Sequence, residues 1–293
     1  MMNLMKRGVL SFFAGLMAVQ MYAQKGSFDG YEIGLCGSAG LSALQFTTAN
    51  GSKPSYSAGY SFGWDIAVLF TNHWSFRTGA NMASYHASVS FDRLETRNLI
   101  ATPESLPADS RFYMEAEYIM YEEQHEALYL RFPLMVQYRS AGANSFYLAA
   151  GVQTGIRANT LCRIRSGDVV TKGYSDFTRQ YYDELPVHGF ATYPDIQSAV
   201  KLDFGITLSG AFETGMMWKI NNGMALYTGI FLDYGLNDLR KGGSVKESIV
   251  YDNHGAHTFN SILDSQNDGK PMTEKVQSLA VGLRLRWTMV FKN

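Results

Sequence analysis

The stretch Tyr60-Ser61-Phe62-Gly63-Trp64-Asp65-Ile66-Ala67-Val68-Leu69-Phe70 decides the fold. Tyr60, Phe62, Trp64, Ile66, Val68 and Phe70 occupy every second position, and Ser61, Gly63, Asp65 and Ala67 lie between them. Successive side chains of a strand point to opposite faces. This strand therefore has one broad apolar face and one face that is small and polar. The pattern recurs along the chain, giving eight segments: Gly30–Phe46, Ser57–Thr71, Trp74–Val89, Glu126–Arg139, Ser145–Arg163, Lys201–Lys219, Met224–Leu236 and Gln277–Phe291. In the last, Leu279, Val281, Leu283, Leu285, Trp287, Met289 and Phe291 oppose Arg284, Arg286 and Thr288. In the sixth, Leu202, Phe204, Ile206, Leu208 and Phe212 oppose Asp203, Thr207, Ser209 and Glu213.

The polar faces carry the charges. Glu32, Asp65, Asp203, Glu213 and Asp233 share them with Arg77, Arg131, Arg157, Arg284 and Arg286. A soluble barrel or sandwich hides its large apolar residues and wets the other face. Here the small and charged face must be the enclosed one, and the greasy face meets lipid. Isolated buried ions cost several kcal/mol each, so these ten residues are expected to pair as a lumen charge network. An eight-stranded barrel is only wide enough for side chains to fill, so a plugged lumen is expected rather than a gated pore or general porin.

Connections alternate in length. Asn72-His73, Ser140–Asn144 and Asn221-Asn222-Gly223 are short, the last an Asn-Gly turn signal. Ser90–His125, Ile164–Val200 and Asn237–Val276 are long, and Thr47–Pro54 is intermediate. These features predict an all-β fold: an eight-stranded antiparallel up-and-down transmembrane β-barrel. Short periplasmic turns, long extracellular loops and periplasmic termini follow. Trp74 and Trp218 adjoin short turns, where an interfacial aromatic girdle belongs.

Other features agree. Met1–Ala23, with Lys6 and Arg7 before an apolar run, reads as a cleaved signal peptide, leaving 24–293 as one barrel domain. The composition is 46% hydrophobic and 14% aromatic, with 28 glycines and only 17% charged residues. Loss of Lys6 and Arg7 takes the net charge from −1 to −3, which argues against nucleic acid as a partner. Cys36 and Cys162 are read as unpaired, although spacing alone leaves a bridge open.

The chain resembles the PorT-like and OmpA-like outer-membrane β-barrels of Bacteroidota. The resemblance rests on Leu128-Tyr129-Leu130-Arg131-Phe132-Pro133-Leu134 and on the closing strand Leu279–Phe291. In that family a strand reading Tyr-Leu-x-(Ile/Phe)-Pro-Leu is common near mid-chain. The resemblance implies residence in the outer membrane of a Gram-negative cell, among lipid and lipopolysaccharide. It also implies insertion by the barrel-insertion machinery, read from the terminal Trp287, Met289 and Phe291, though Lys292 and Asn293 follow them here. The peptidoglycan-binding domain that often follows an OmpA barrel has no counterpart in this sequence. A PorT-like accessory role in protein secretion is an alternative.

Function would then reside in the outer loops, through structural or surface contacts with an unidentified protein partner. Tyr174, Phe177, Tyr181, Tyr182, Phe190 and Tyr193 are loop aromatics suited either to binding or to a lid. Asp92, Glu95, Glu104, Asp109, Glu115, Glu117, Glu122 and Glu123 make the Val89–His125 loop acidic. Oxygen ligands could hold Ca²⁺, but no EF-hand spacing is present, and the loop reads as a solvated hairpin whose Phe112–Tyr121 part, with its β-forming aromatics, is suited to extending the fourth strand above the membrane. His86, His125, His188, His254 and His257 read as scattered surface residues rather than a ligand set. There is no His-Glu-x-x-His, and no catalytic site, metal or cofactor is assigned. A barrel-rim enzyme is the remaining alternative. The Asn237–Val276 loop, rich in Gly, Asn and Asp, reads as mobile.

Overall fold

The computed structural model describes residues 29–49, 51–100, 112–241, 246–251 and 257–292. The signal segment Met1–Ala23, Glu104, Asp109 and His254 lie outside them. The strands are β1 (Gly30–Gln45), β2 (Ala58–Leu69), β3 (Trp74–Ile100), β4 (Phe112–Arg139) and β5 (Asn144–Ser175), followed by β6 (Gln180–Tyr182) and β7 (Thr192–Val200). Then come β8 (Thr207–Asn221), β9 (Met224–Gly235), β10 (Lys246–Glu247), β11 (Ile249–Tyr251), β12 (His257–Phe259), β13 (Ser265–Asn267), β14 (Lys270–Pro271) and β15 (Gln277–Lys292).

Eight of these close a ring. β1 pairs with β2, β2 with β3, β3 with β4, β4 with β5, β5 with β8, β8 with β9, β9 with β15 and β15 with β1, all antiparallel. Closure leaves no free edge, which a lipid-embedded sheet requires because lipid satisfies no backbone group. The described ends meet where Gly30 pairs with Lys292 and with Leu69, the end that also carries the short turns.

The outer face is apolar, as the alternation demands. Phe62, Leu134, Val136, Val152, Leu232 and Leu285 are exposed there. Aromatics gather near the short turns: Tyr31 stacks on Phe291 with centroids 4.8 Å apart, and Trp74 meets Tyr138 edge-on at 5.1 Å. Leu285 sits midway along β15 and is 57% exposed, which places it on lipid. Leu285→Arg is expected to destabilise the inserted barrel by about 2–4 kcal/mol, the usual effect of a cation at bilayer depth. Reversible denaturant titration in lipid vesicles would measure it; an unchanged midpoint would place Leu285 in water.

Two of the central strands run further than the sequence suggested: β3 continues past Val89 and β5 past Arg163. β4 starts at Phe112, the extension that the aromatics of Phe112–Tyr121 suggested. Above the lipid band the polarity of the sheet inverts. Val89, Tyr121, Ile164 and Val169 face inward and are buried, whereas the outer face carries Arg163 paired to Glu126 at 2.6 Å and Arg93 paired to Glu117 at 2.8 Å. The same strands obey membrane polarity in one half and aqueous polarity in the other.

The described residues between β9 and β15 form a packed cap. Leu239, Ile249, Phe259, Ile262, Leu263, Met272 and Val276 are buried against the extended β3–β5 wall. The expectation of a mobile segment is corrected here: its polar residues are interleaved with enough apolar ones to close a core. Leu202 and Phe204 are also corrected. Each is only 1% exposed and belongs to this core, because residues 201–206 leave the barrel wall before β8 begins.

Candidate functional site

Within the barrel, the polar faces interlock. Glu32, Asp65, Glu213 and Asp233 meet Arg77, Arg131, Arg139, Arg284 and Arg286. Glu213 is the hub. Its carboxylate accepts from both Arg77 terminal nitrogens, from Arg284 at 3.1 Å and from the Tyr147 hydroxyl at 2.8 Å. Gly229 makes room for that hydroxyl, since a Cβ there would stand 2.4 Å from it. Asp233 accepts from Arg131 at 2.9 Å, and Arg131 also donates to Asn81 and Tyr85. Arg286 donates to Gln137 at 2.7 Å and lies over the Tyr227 ring, 3.8 Å from its centroid. Nearer the short turns, Glu32 accepts from Arg139 and Tyr227, each at 2.8 Å. Arg131, Arg286, Tyr85, Tyr147 and Tyr227 are among the largest fully buried side chains described.

Eight of the ten charges assigned to the interior are therefore brought together, and Arg139 joins them. Arg157 and Asp203 are corrected. They pair at 2.8 Å outside the network, with Lys241 also on Asp203, whose side chain is 59% exposed. Arg157 still faces the inward Tyr129, but it sits where the 201–206 segment leaves the wall, and it donates to the Leu202 carbonyl and Asp203. Beyond it Leu128 faces Asn159, so Ala158 is an extra, bulged residue and the inward parity of β5 changes there. Asp203 lies in the irregular 201–206 segment and has no strand parity to obey.

The cap contains a second polar cluster, which was not recognised in the sequence. Glu123 is fully buried. It accepts from Ser261 Oγ at 2.8 Å, the Ile262 backbone N–H at 2.8 Å and the Tyr121 hydroxyl. His125 and Cys162 lie beside it, 1% and 0% exposed. The solvated acidic hairpin is thus corrected for Glu123, and the scattered surface histidine for His125. Burial alone would raise the Glu123 carboxyl, but His125, Tyr121 and the Ile262 N–H outweigh it and hold the group below its usual range. Burial, then the Glu123 charge, pushes the Cys162 thiol and the Tyr121 phenol upward. Cys36 and Cys162 are both free thiols.

The loop aromatics divide. Phe190 is buried against Phe112, and Phe112 also meets Tyr182, so this trio packs inward. Tyr193 packs on His257, ring centroids 4.3 Å apart. Tyr174 meets Tyr181 at 4.9 Å, while Phe177 and Tyr181 are 65% and 59% exposed. An open polar groove bordered by Arg93, Arg97, Glu115, Lys172, Tyr181 and Asp183 runs beside them.

Residues 22–241 match the family described as outer membrane protein beta-barrel domain. No curated protein matches the chain. Among solved structures, Neisserial surface protein A is 10% identical over 87% of this chain and 94% of that one, with a TM-score of 0.32. OprG from Pseudomonas aeruginosa is 11% identical over 92% of this chain and 99% of that one, with a TM-score of 0.34. Ail, the attachment invasion locus protein of Yersinia pestis, is 11% identical over 88% and 99%, with a TM-score of 0.26. Scores this low describe a loose correspondence of backbones; the closed ladder of the chain itself defines its fold.

Proposed function

Because the chain belongs to the outer membrane protein beta-barrel domain family, we propose that it is a non-conducting, non-enzymatic barrel of the Gram-negative outer membrane that acts through its structured cap. The short turns and both termini face the periplasm in this reading, and the cap stands outside the cell among lipopolysaccharide.

One observation carries the proposal: the interior is packed with large interlocked side chains, while the extended strands and connections beside the cap present exposed apolar groups. Arg131, Arg286, Tyr147 and Tyr227 occupy the lumen. Leu99, Phe177, Tyr181 and Leu185 are exposed at the far end of the extended strands and the connections beyond them. A filled lumen supports a plug, and exposed aromatics support a contact surface with an unidentified protein. The PorT-like and OmpA-like likeness remains a proposal within the family, resting on Leu128–Leu134 and the closing strand. Insertion by the barrel-insertion machinery likewise rests on the aromatic ending of β15.

Two measurements test this reading. The folded barrel in a planar lipid bilayer is expected to give no steady conductance at neutral pH; regular open-channel steps would overturn the plug. A photo-crosslinking residue at Phe177 on intact cells is expected to yield a discrete adduct that the same residue at Asn222 does not. Equal yields at both positions would remove the exposed surface beside the cap from the function.

A further inference from the structure

We infer that Glu123, His125 and Cys162 form a binding site for one divalent transition-metal ion of the Zn²⁺ class. Strand geometry sets the site. His125 and Cys162 are direct cross-strand partners on β4 and β5, and Glu123 is two residues from His125 on the same inward face. Such cross-strand neighbours have Cβ atoms about 4.5–5.5 Å apart. One ligand atom from each of the three lies within 4.8 Å of the others. Bond lengths of about 2.0–2.3 Å to nitrogen, oxygen and sulfur mean that closure by roughly an ångström would bring all three onto one ion.

A second observation points to a ligand. His125 is 1% exposed, yet neither ring nitrogen has a hydrogen-bond partner among the described residues. Nε2 stands 3.0 Å from Glu123 Oε2 but lacks the alignment of a hydrogen bond. A buried imidazole left in this state is destabilising, and a metal bond to a ring nitrogen removes part of that cost. Glu123 still has capacity. Its Oε1 accepts from Tyr121 and Ile262 and its Oε2 from Ser261, leaving one lone pair of Oε2 toward the histidine.

The donor set chooses the ion. Thiolate and imidazole together favour Zn²⁺ and its neighbours over Ca²⁺ or Mg²⁺, which prefer oxygen. On binding, Cys162 Sγ releases its proton to solvent, His125 coordinates as neutral imidazole and Glu123 as carboxylate. Two anionic ligands then neutralise the dication inside a dry core. The Ser261 hydroxyl already donates to Glu123 and would help orient that ligand. Because Glu123 also receives the cap backbone at Ile262, the ion would fasten the cap to β4 and β5.

The test uses the full chain, folded in detergent both by refolding with one equivalent of Co²⁺ and by adding Co²⁺ afterwards. Heat-modifiable gel mobility reports folding of every sample. The expected result is one bound Co²⁺ per chain after desalting, with a near-ultraviolet thiolate-to-cobalt charge-transfer band. Cys162→Ser, which keeps Cys36, is expected to lose the band and weaken Zn²⁺ binding by more than about tenfold, a loss that even outer-shell changes can bring. His125→Phe should do the same while filling the ring's space. Folded wild-type protein without the band under either protocol overturns the site, as does a band that persists in Cys162→Ser.

Discussion

Glu213→Gln is expected to destabilise the folded barrel by about 3–5 kcal/mol, the usual consequence of stranding a buried charge by removing its partner. Glu213 is fully buried and faces Arg77 and Arg284, with Tyr147 donating to it as well. The amide keeps the shape but removes the charge and offers donors to cations. Arg77 retains only Asp65, at 3.9 Å, and Arg284 only Asp233, at 3.6 Å. Denaturant midpoints in lipid vesicles measure the loss. Adding Arg284→Met to Glu213→Gln should recover part of it, because one stranded cation goes. A single variant as stable as the parent would mean that water reaches and screens the hub.

Glu123→Ala is the second large effect, and it is local. The substitution leaves the Ser261 hydroxyl, the Ile262 N–H and the Tyr121 hydroxyl without their shared acceptor in a dry core. Each orphaned group costs about 1–3 kcal/mol. The expected result is cleavage within residues 246–263 by a protease that spares the parent, while the barrel stays heat-modifiable. A variant whose cap resists the protease as the parent does would show that apolar packing around Leu263 and Phe259 suffices alone.

The lipid-facing half of the molecule was readable from residue types. Tyr60 to Phe70 and Leu279 to Phe291 alternate without interruption, and all eight barrel strands were located from that rule. For β3 and β5 the reading stopped at Val89 and Arg163, where the rule inverts, whereas the aromatics of Phe112–Tyr121 did announce the extension of β4. Beyond those points the inward face is apolar and the outward face charged, so a template for membrane strands fails on strands that simply continue into water. Arg157 keeps its place opposite Tyr129 but is drawn to Leu202 and Asp203, where residues 201–206 leave the wall, and nothing in the sequence announces that departure. Nothing in Ile156-Arg157-Ala158-Asn159 announces the bulge either, yet one extra residue turns Asn159 away from the inner face. Arg139 was legible, since it lies two residues beyond Gln137 on the inner face. The Glu123, His125 and Cys162 cluster was half legible. Glu-x-His on a strand puts both on one face, but the distant cysteine enters only through the register of β4 against β5.

The measurement that tests the central claim most directly is surface labelling of intact cells with a maleimide too large to cross the outer membrane. Thr178 lies in the exposed turn after β5 and Asn222 in the short turn between β8 and β9. Thr178→Cys is expected to be labelled on intact cells, and Asn222→Cys only after the outer membrane is opened. The native Cys162 is buried and Cys36 faces the barrel interior, so background should be low. Labelling of Asn222→Cys but not Thr178→Cys on intact cells would invert the topology. Labelling of neither before or after opening the membrane would contradict a folded barrel that spans it.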